Sequence, residues 1–297
     1  MYAAKLVLLS AFLVCFFTGS AAAHGHGREQ ERKQEPKTGI LLVSFGTTVS
    51  EAKKAMDHIE EQTRKNFSAI PVRWAYTSSI VRHRLAENGE SVPSVAQALS
   101  DMLEEGFNRI AVQSLHVIPG KEYTGLERTV AAFQDLAPQA RIALGAPLMY
   151  EHKDMERVAE AVLRMAAPFT DAGKTVVLMG HGTHHAANIY YPGLQDYLQR
   201  RSADVLVGAV EGFPGLEQVI QDLRQSNASS VCLIPFMSVA GDHARNDMAG
   251  SEKDSWKSRF QAEGLDTTAV LKGLGEESGF VSIWMDHLKQ ALHEAAE

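Results

Sequence analysis

Apolar runs of strand length alternate with longer amphipathic stretches along most of the chain. The first half contains two strand–helix pairs, "GILLVSFGTT" with "VSEAKKAMDHIEEQTRKNF" and "IPVRWAYTS" with "SVPSVAQALSDMLEEGF". Two further strands follow, "RIAVQSLHVIPG" and "ARIALGAPL", with the helix "GLERTVAAFQDLA" between them. Continuous apolar strands that alternate with helices are typical of a parallel sheet covered on both faces. The pattern therefore predicts an α/β fold.

The second half repeats this pattern. "TVVLMGHGTHH" aligns with "GILLVSFGTT", which puts His181 opposite Phe45, and "SSVCLIPFMSVAGDH" aligns with "NRIAVQSLHVIPGKE", which puts His243 opposite Glu122. The repeat predicts two similar Rossmann-like domains, 38–167 and 174–297, joined by "PFTDAGK". One alternative stays open, in which the last helix packs back onto the first domain.

Three chemically capable side chains stand at strand ends in the second half. His181, Glu211 and His243 each come directly or shortly after an apolar strand. Ligands of doubly wound sheets lie beyond the carboxyl ends of the strands. Two imidazoles and a carboxylate suit a divalent ion such as cobalt, nickel, iron(II) or zinc. Taken singly, each histidine also fits a hydrogen-bonded structural role.

The other histidines divide by their surroundings. His184 and His185 lie on the opening turn of the next helix and are expected to support His181 from outside the ligand set, with direct ligation as the alternative. His116 ends a strand in the first half and is expected to face a cleft. Histidines on or near amphipathic helices are expected to be solvated; these are His58, His83, His152, His287 and His293.

Composition and motifs exclude several classes of protein. The chain has 297 residues, 45% of them hydrophobic, and a formal net charge of −7. It therefore lacks the basic surface of a nucleic-acid-binding protein, and an anionic ligand must be held by local cations. Neither a phosphate loop nor a dinucleotide fingerprint occurs, so no nucleotide cofactor is expected, and no helix carries the paired histidines of a metalloprotease.

The amino-terminal segment has the features of an export signal. Residues 1–23 combine Lys5, an apolar run and a small-residue ending, which predicts a cleavable signal peptide with cleavage near Ala23. Residues 24–37 are polar and aperiodic and are expected to form a flexible tether. The mature chain is then periplasmic, without a membrane span. It keeps Cys232 as its one cysteine, which is expected to be a small buried strand residue.

Several motifs in order resemble one enzyme family. They are "LLVSFGTT", "SLHVIPGKEY", "GHGTHHAAN", "VEGFPGLEQVI" and "PFMSVAGDHARNDMAGSEKDSWK". The chain from Thr38 onward is similar to the anaerobic-pathway sirohydrochlorin cobaltochelatases, CbiK-type class II chelatases related to the ferrochelatases. The resemblance implies a tetrapyrrole in the cleft between two similar domains, with cobalt(II) as the substrate metal at His181, Glu211 and His243.

The chemistry of metal insertion agrees with these residues. The site must strip water from the ion and remove two pyrrole protons, which needs ligands that release the metal and a base that titrates near neutrality. His181 is expected to be a ligand and the proton acceptor, His243 the second ligand, and Glu211 a ligand or the group that holds charge on the ion. The residues expected to bind the substrate's carboxylates are Arg245, Lys253, Lys257, Arg82 and Arg84, with His116 as a further candidate.

A second interpretation keeps the fold and changes the function. An export signal departs from the cytoplasmic setting of cobalamin synthesis, which leaves a non-catalytic periplasmic carrier of metal or tetrapyrrole, such as haem, as the alternative. The sequence leaves open the choice between cobalt and iron(II), the presence of an additional cofactor such as haem, and whether the chain forms a homo-oligomer.

Overall fold

The computed structural model describes residues 35–297. The predicted signal peptide, 1–23, and most of the predicted tether, 24–37, lie outside the described residues. Within 35–297 the strands are β1 (Thr38–Ser44), β2 (Val72–Tyr76), β3 (Arg109–Ser114), β4 (Arg141–Gly145), β5 (Thr175–Gly182), β6 (Val205–Glu211), β7 (Ser230–Phe236) and β8 (Asp266–Ala269). The α-helices there are α1 (Lys53–Asn66), α2 (Ser79–Glu87), α3 (Val95–Glu104), α4 (Lys121–Leu136), α5 (His152–Thr170), α6 (Tyr190–Gln199), α7 (Leu216–Gln225), α8 (Trp256–Ala262) and α9 (Ser278–Glu294).

The strands form two parallel four-stranded sheets of the same order. The first sheet runs β2-β1-β3-β4 and the second runs β6-β5-β7-β8. The sequence repeat is therefore a repeat of topology, with β1 and β5 in equivalent inner positions. The predicted α/β class with two Rossmann-like sheets is confirmed.

Alternate residues of each inner strand enter different hydrophobic cores, because side chains of a strand point to opposite faces. In β1, Ile40 and Leu42 belong to a large shared core, and Leu41 and Val43 to a core on the other face of the first sheet. In β5 the same shared core receives Val176 and Leu178, whereas Val177 and Met179 belong to a third core. One apolar layer is thus common to both sheets.

The last helix belongs to the first sheet by packing. Trp284 and Leu288 of α9 are fully buried in the shared core, and the helix packs against β3 and β4. Residues 36–297 accordingly form one compact unit. The alternative in which the last helix returns to the first half is the one observed, and the division at 167 and 174 stays a prediction.

The burial of Cys232 agrees with the sequence-based expectation, and the burial of His287 does not. Cys232 is fully buried, as predicted, and burial raises the pKa of its thiol. His287 was expected to be solvated, which is wrong: it is 6% exposed and bonds through Nε2 to Asp154 at 3.1 Å.

Among the described residues, no helix is both long and apolar enough to cross a membrane.

Candidate metal centre

Two of the predicted ligands meet at the carboxyl edge of the second sheet. His181 is the penultimate residue of β5, and His243 comes just before a π-helical turn, Ala244–Met248, after the neighbouring strand β7. Their Nε2 atoms are 3.1 Å apart, and the two rings are nearly perpendicular, at 88°. Both side chains are partly buried. The structure thus brings together residues that are 62 positions apart in sequence.

The hydrogen bonds of the two Nδ1 atoms determine which nitrogen of each imidazole carries a lone pair. His181 Nδ1 lies 3.1 Å from the carbonyl oxygen of Gly182, and His243 Nδ1 lies 2.5 Å from a carboxylate oxygen of Asp247. A carbonyl and an ionised carboxylate only accept hydrogen bonds, so each Nδ1 is assigned the proton and donates it. In the neutral forms both Nε2 atoms therefore present lone pairs to each other.

Facing lone pairs at this distance call for a positive charge between them or beside them. A shared proton satisfies the pair, and so does a divalent metal ion. Two nitrogen ligands about 2.1 Å from one ion are separated by roughly 3.0–3.4 Å for bond angles between 90° and tetrahedral. The observed 3.1 Å lies in that interval. Imidazole nitrogen suits the later first-row divalent metals.

Glu211 stands beside this pair without joining it. Its backbone is opposite Gly182 in the β5–β6 register, and its side chain is exposed. Within residues 35–297, no group of three His, Cys, Asp or Glu side chains is close enough to hold one ion. Glu211 as third ligand stays a prediction, made on a strand adjacent to His181.

A close backbone contact fixes the end of β5 against Glu211. Gly182 has φ +78°, and a Cβ built there would lie 1.6 Å from the carbonyl oxygen of Glu211. Its amide donates to the hydroxyl of Tyr191 at 3.2 Å. Only glycine fits this position, because both the dihedral and the space exclude a side chain. The turn that carries His181 is therefore held on two sides.

Asp247 is a site residue that the sequence reasoning missed. It lies four residues after His243, a spacing that puts two side chains on the same side of a helical turn. Metal-binding histidines usually donate their second nitrogen to a carboxylate or carbonyl, which orients the ring and raises its basicity. The spacing in "GDHARND" was the available signal.

The other two histidines of "GHGTHH" have separate contacts. His185 Nδ1 accepts from the amide of Ala187 at 3.2 Å and so caps a short 3₁₀ turn, Ala186–Ile189. His184 is exposed. Neither side chain hydrogen-bonds to His181 or His243 in the described part of the chain.

His116 is held as a neutral group. Its Nδ1 lies 2.9 Å from the Ser114 hydroxyl and its Nε2 3.3 Å from the Thr77 hydroxyl. Burial lowers the pKa of His116 to about 4, although the nearby charge of Glu122 acts in the opposite direction. Near neutral pH the His116 side chain therefore carries no positive charge, and it can act only through its shape and its hydrogen bonds.

Two of the predicted anchor arginines have unused hydrogen-bond donors. The Nε atoms of Arg82 and Arg245 are buried without a hydrogen-bond partner. Arg82 lines an open cavity of about 1020 Å³ beside α2, together with Arg84. Arg84 Nη1 is 3.6 Å from Asp242, the residue before His243. Helix α2 therefore contacts the segment that leads from β7 to His243. Lys253 is exposed and Lys257 half-buried.

Phe45 approaches the pair from the first sheet. It follows β1, its ring centroid lies 6.4 Å from that of His181, and the two rings are tilted by 41°. The side chain is 42% exposed. The site is therefore bordered by strand ends of both sheets.

A model of one protein family covers nearly all of the described chain. The family is described as cobalt chelatase (CbiK), and its model matches residues 38–293. The chain belongs to the CbiK family. The family resemblance predicted from the sequence motifs is confirmed.

Two curated relatives agree with the family match. The sirohydrochlorin cobaltochelatase CbiKC of Nitratidesulfovibrio vulgaris is 40% identical over 265 residues, 89% of this chain and 94% of the relative. The sirohydrochlorin cobaltochelatase of Salmonella typhimurium is 36% identical over 263 residues, 88% and 98% of the two chains. Among solved structures, SirB from Bacillus subtilis with Fe3+ has a TM-score of 0.58 at 15% identity, covering 86% of this chain and 95% of its own. That likeness supports the chelatase-type fold of this CbiK member.

Proposed function

We propose that this CbiK-family protein inserts cobalt(II) into sirohydrochlorin. The observation that carries the proposal is the pair of facing Nε2 atoms, 3.1 Å apart, on His181 and His243. Two relatives that match most of the chain, at 40% and 36% identity, are sirohydrochlorin cobaltochelatases. Cobalt is a substrate here, so its ligands must also release it.

The proposed roles follow from what insertion requires. The incoming ion loses water, and the two pyrrole N–H groups of the macrocycle lose their protons as the metal–nitrogen bonds form. We assign His181 first as a ligand and then, once its Nε2 has released the ion, as the acceptor of one pyrrole proton, while the second proton passes to solvent. His243 is assigned as the second ligand, oriented by Asp247. Glu211 is proposed to hold charge on the ion or to complete its ligands. Its exposed side chain supports this, because the carboxylate is free to turn toward the histidines.

Local cations are proposed to receive the substrate's carboxylates. Arg82 and Arg245 are the leading candidates, since each has a buried Nε without a partner. An arginine forms two parallel hydrogen bonds to a carboxylate, which fixes orientation as well as charge. Arg84, Lys253 and Lys257 are proposed to add weaker attraction, and His116, being neutral, to add contacts only.

Turnover tests the proposal against a carrier on the same fold. The full chain is mixed with sirohydrochlorin and excess Co²⁺, and metallation is followed by absorbance. We expect many turnovers per protein, and loss of at least about a hundred-fold in rate for His181→Ala and for His243→Ala. His293→Ala serves as control, because its side chain is 76% exposed near the end of α9. A single stoichiometric event, or a rate that neither site variant changes, would establish the carrier and reject the enzyme. A parallel series with Fe²⁺ measures metal preference.

We also propose that the protein is exported. The support is the charge, the apolar run and the small-residue ending of residues 1–23. Mass determination of the amino terminus in a periplasmic fraction tests this, with a new terminus near His24 as the expected result. Retention of residues 1–23 on cytoplasmic protein would contradict it.

A further inference from the structure

Two ion pairs flank His243, and each joins its segment to the first half of the chain. Arg245 Nη2 lies 3.6 Å from Glu51 Oε2. On the other side, Asp242 Oδ2 lies 3.6 Å from Arg84 Nη1. Glu51 belongs to a short 3₁₀ turn after β1, and Arg84 belongs to α2. The segment that carries the second proposed ligand is therefore held to the first half by charge on both sides.

The Arg245 guanidinium is attracted to Glu51 without being hydrogen-bonded to it. Their separation of 3.6 Å exceeds the length of an N–H···O bond, which is about 2.7–3.2 Å. Elsewhere on the surface Arg157 approaches Asp286 to 2.7 Å. In the described part of the chain, none of the five N–H donors of Arg245 makes a hydrogen bond, and its Nε is buried. A charged set of donors thus lies beside the site with its hydrogen bonds unused.

Glu51 is the weaker of two possible partners for this guanidinium. Its side chain is 65% exposed, and that of Arg245 is 32% exposed. Exposed ion pairs contribute little, because water screens both charges and the side chains must give up conformational freedom. A carboxylate that makes two parallel hydrogen bonds to an arginine is held more strongly and in one orientation. An incoming carboxylate can therefore take the place of Glu51.

We propose that Glu51 occupies Arg245 in the substrate-free protein and that a carboxylate of the tetrapyrrole displaces it. The inference rests on the proposed function, in which Arg245 receives a substrate carboxylate. Glu51 then determines specificity, because a macrocycle gains affinity at this position only when its carboxylate binds Arg245 better than Glu51 does. Glu51 acts through Arg245 and is a positioning residue.

Glu51→Gln removes the competing charge and should tighten binding of the macrocycle. We expect the Kd for metal-free sirohydrochlorin and its KM to fall by about three-fold, the effect of one exposed ion pair, with kcat within about two-fold of the wild type. Loss of a merely structural contact would not tighten binding. Absorbance titration of the full chain measures Kd, and the metallation assay measures KM and kcat. Glu61→Gln, at an exposed position of α1 without an ion pair in the described chain, is the matched control and should keep the wild-type Kd.

A double-mutant cycle separates competition for Arg245 from the loss of one negative charge near the site. Arg245→Ala should weaken binding of sirohydrochlorin, and Glu51→Gln should have no further effect in that background. Should Arg245→Ala fail to fold in thermal unfolding, Arg245→Gln replaces it in the cycle, because glutamine keeps part of the apolar stem.

The outcomes divide clearly. A Kd that Glu51→Gln leaves unchanged or raises overturns the inference, as does an equal fall in Kd in the Arg245→Ala background or for Glu61→Gln. Wild-type affinity in Arg245→Ala overturns it together with the role of Arg245 as an anchor. Binding of sirohydrochlorin without turnover in the wild type rejects the proposed function and leaves the Kd measurements intact, so the two failures are distinguishable.

Discussion

Asp247 decides which nitrogen of His243 faces His181. Its carboxylate accepts from Nδ1 at 2.5 Å, which leaves Nε2 as the lone-pair nitrogen 3.1 Å from His181. A neutral partner would weaken this assignment, because an amide both donates and accepts. Under the proposed function, the carboxylate acts on the metal ligand His243 without touching the metal.

Asp247→Asn should weaken Co²⁺ binding by about ten- to a hundred-fold, the usual effect of losing such a partner. Titration of the protein with Co²⁺ measures this, and the rate of metallation should fall with it. Asp135→Asn is the control, as Asp135 is exposed on α4. Wild-type affinity in Asp247→Asn would show that the short contact does not orient the ring.

His116 should make stability depend on pH in the mildly acidic range. Its pKa is about 4 in the folded protein, whereas the ordinary pKa of a solvated histidine is 6.5, so the unfolded chain binds the proton more readily. The stabilisation is therefore fully present above pH 6.5 and is lost as pH falls toward 4, to the extent of about 3 kcal/mol.

Denaturant unfolding at several pH values measures this effect. His116→Gln should show a smaller loss of stability than the wild type between pH 6.5 and 4, because glutamine does not titrate. His83→Gln, at an exposed position on α2, should keep the wild-type dependence. Equal slopes for His116→Gln and wild type would refute the assignment.

The sequence indicated some of these residues and not others, for physical reasons. His181 and His243 were predictable because strand ends of a parallel sheet converge. Asp247 was missed because its importance depends on the rotamer of a neighbour. His287 was misjudged because the buried face of its helix is wide: the consecutive residues Ile283, Trp284 and Met285, which point in different directions, are all at most 7% exposed.

The end of β5 is the element on which the site depends most directly. Gly182 and Glu211 are partners in the β5–β6 register, and the close approach of their backbones leaves no room for a side chain at position 182. A change there displaces His181 and Glu211 together.

Gly182→Ala should destabilise the protein by more than about 2 kcal/mol and abolish metallation, since it adds a steric clash to an unfavourable dihedral. Gly89→Ala is a matched control: Gly89 has a similar φ, +80°, but nothing lies within 4 Å of its would-be Cβ. The difference in unfolding free energy between the two variants isolates the clash. Similar unfolding free energies for both variants would mean that the end of β5 shifts enough to accommodate the added methyl group.

Helix α2 is an element that the periodicity of the sequence did not predict. The sequence predicted the strand before it and the helix after it, but not the helix at Ser79–Glu87 itself. Only Leu85 of this helix is buried, so no apolar stripe marks it. The Ser78 side chain caps its first turn by accepting from Val81. This local signal was present but is common in loops.

At the scale of residues 36–297, α9 returns to the first sheet and packs in the apolar layer that both sheets share. Its His287 bonds through Nδ1 to the carbonyl of Ala146 at 3.2 Å and through Nε2 to Asp154 of α5 at 3.1 Å. The two side chains are 7% and 1% exposed, and each ring nitrogen of His287 has an oxygen partner. A buried polar link thus joins the last helix to the end of β4.

Asp154→Ala should lower the unfolding free energy by about 3–5 kcal/mol, because it leaves a buried partner unpaired. A second pair joins the same two helices at the surface, Arg157 with Asp286 at 2.7 Å, and provides the control. Asp286→Ala should cost less than about 1 kcal/mol, since Asp286 is 60% exposed. Chemical denaturation compares them, and equal losses would contradict a special role for the buried pair.

The sequence predicted two similar halves but not how they join. Alternating apolar runs show which residues are buried, but they do not show which hydrophobic layer those residues pack against. Ile40 and Val176, far apart in sequence, enter the same core. The compactness of residues 36–297 is therefore a property of packing that periodicity alone does not reveal.

The paired turns at Phe45 and His181 have a consequence for how such a protein can change over generations. Equivalent positions in a repeated scaffold are independent genetic sites, so a substitution at one leaves the other intact. The phenyl ring at position 45 and the imidazole at position 181 can therefore be replaced one at a time, on turns that each keep a glycine at positive φ.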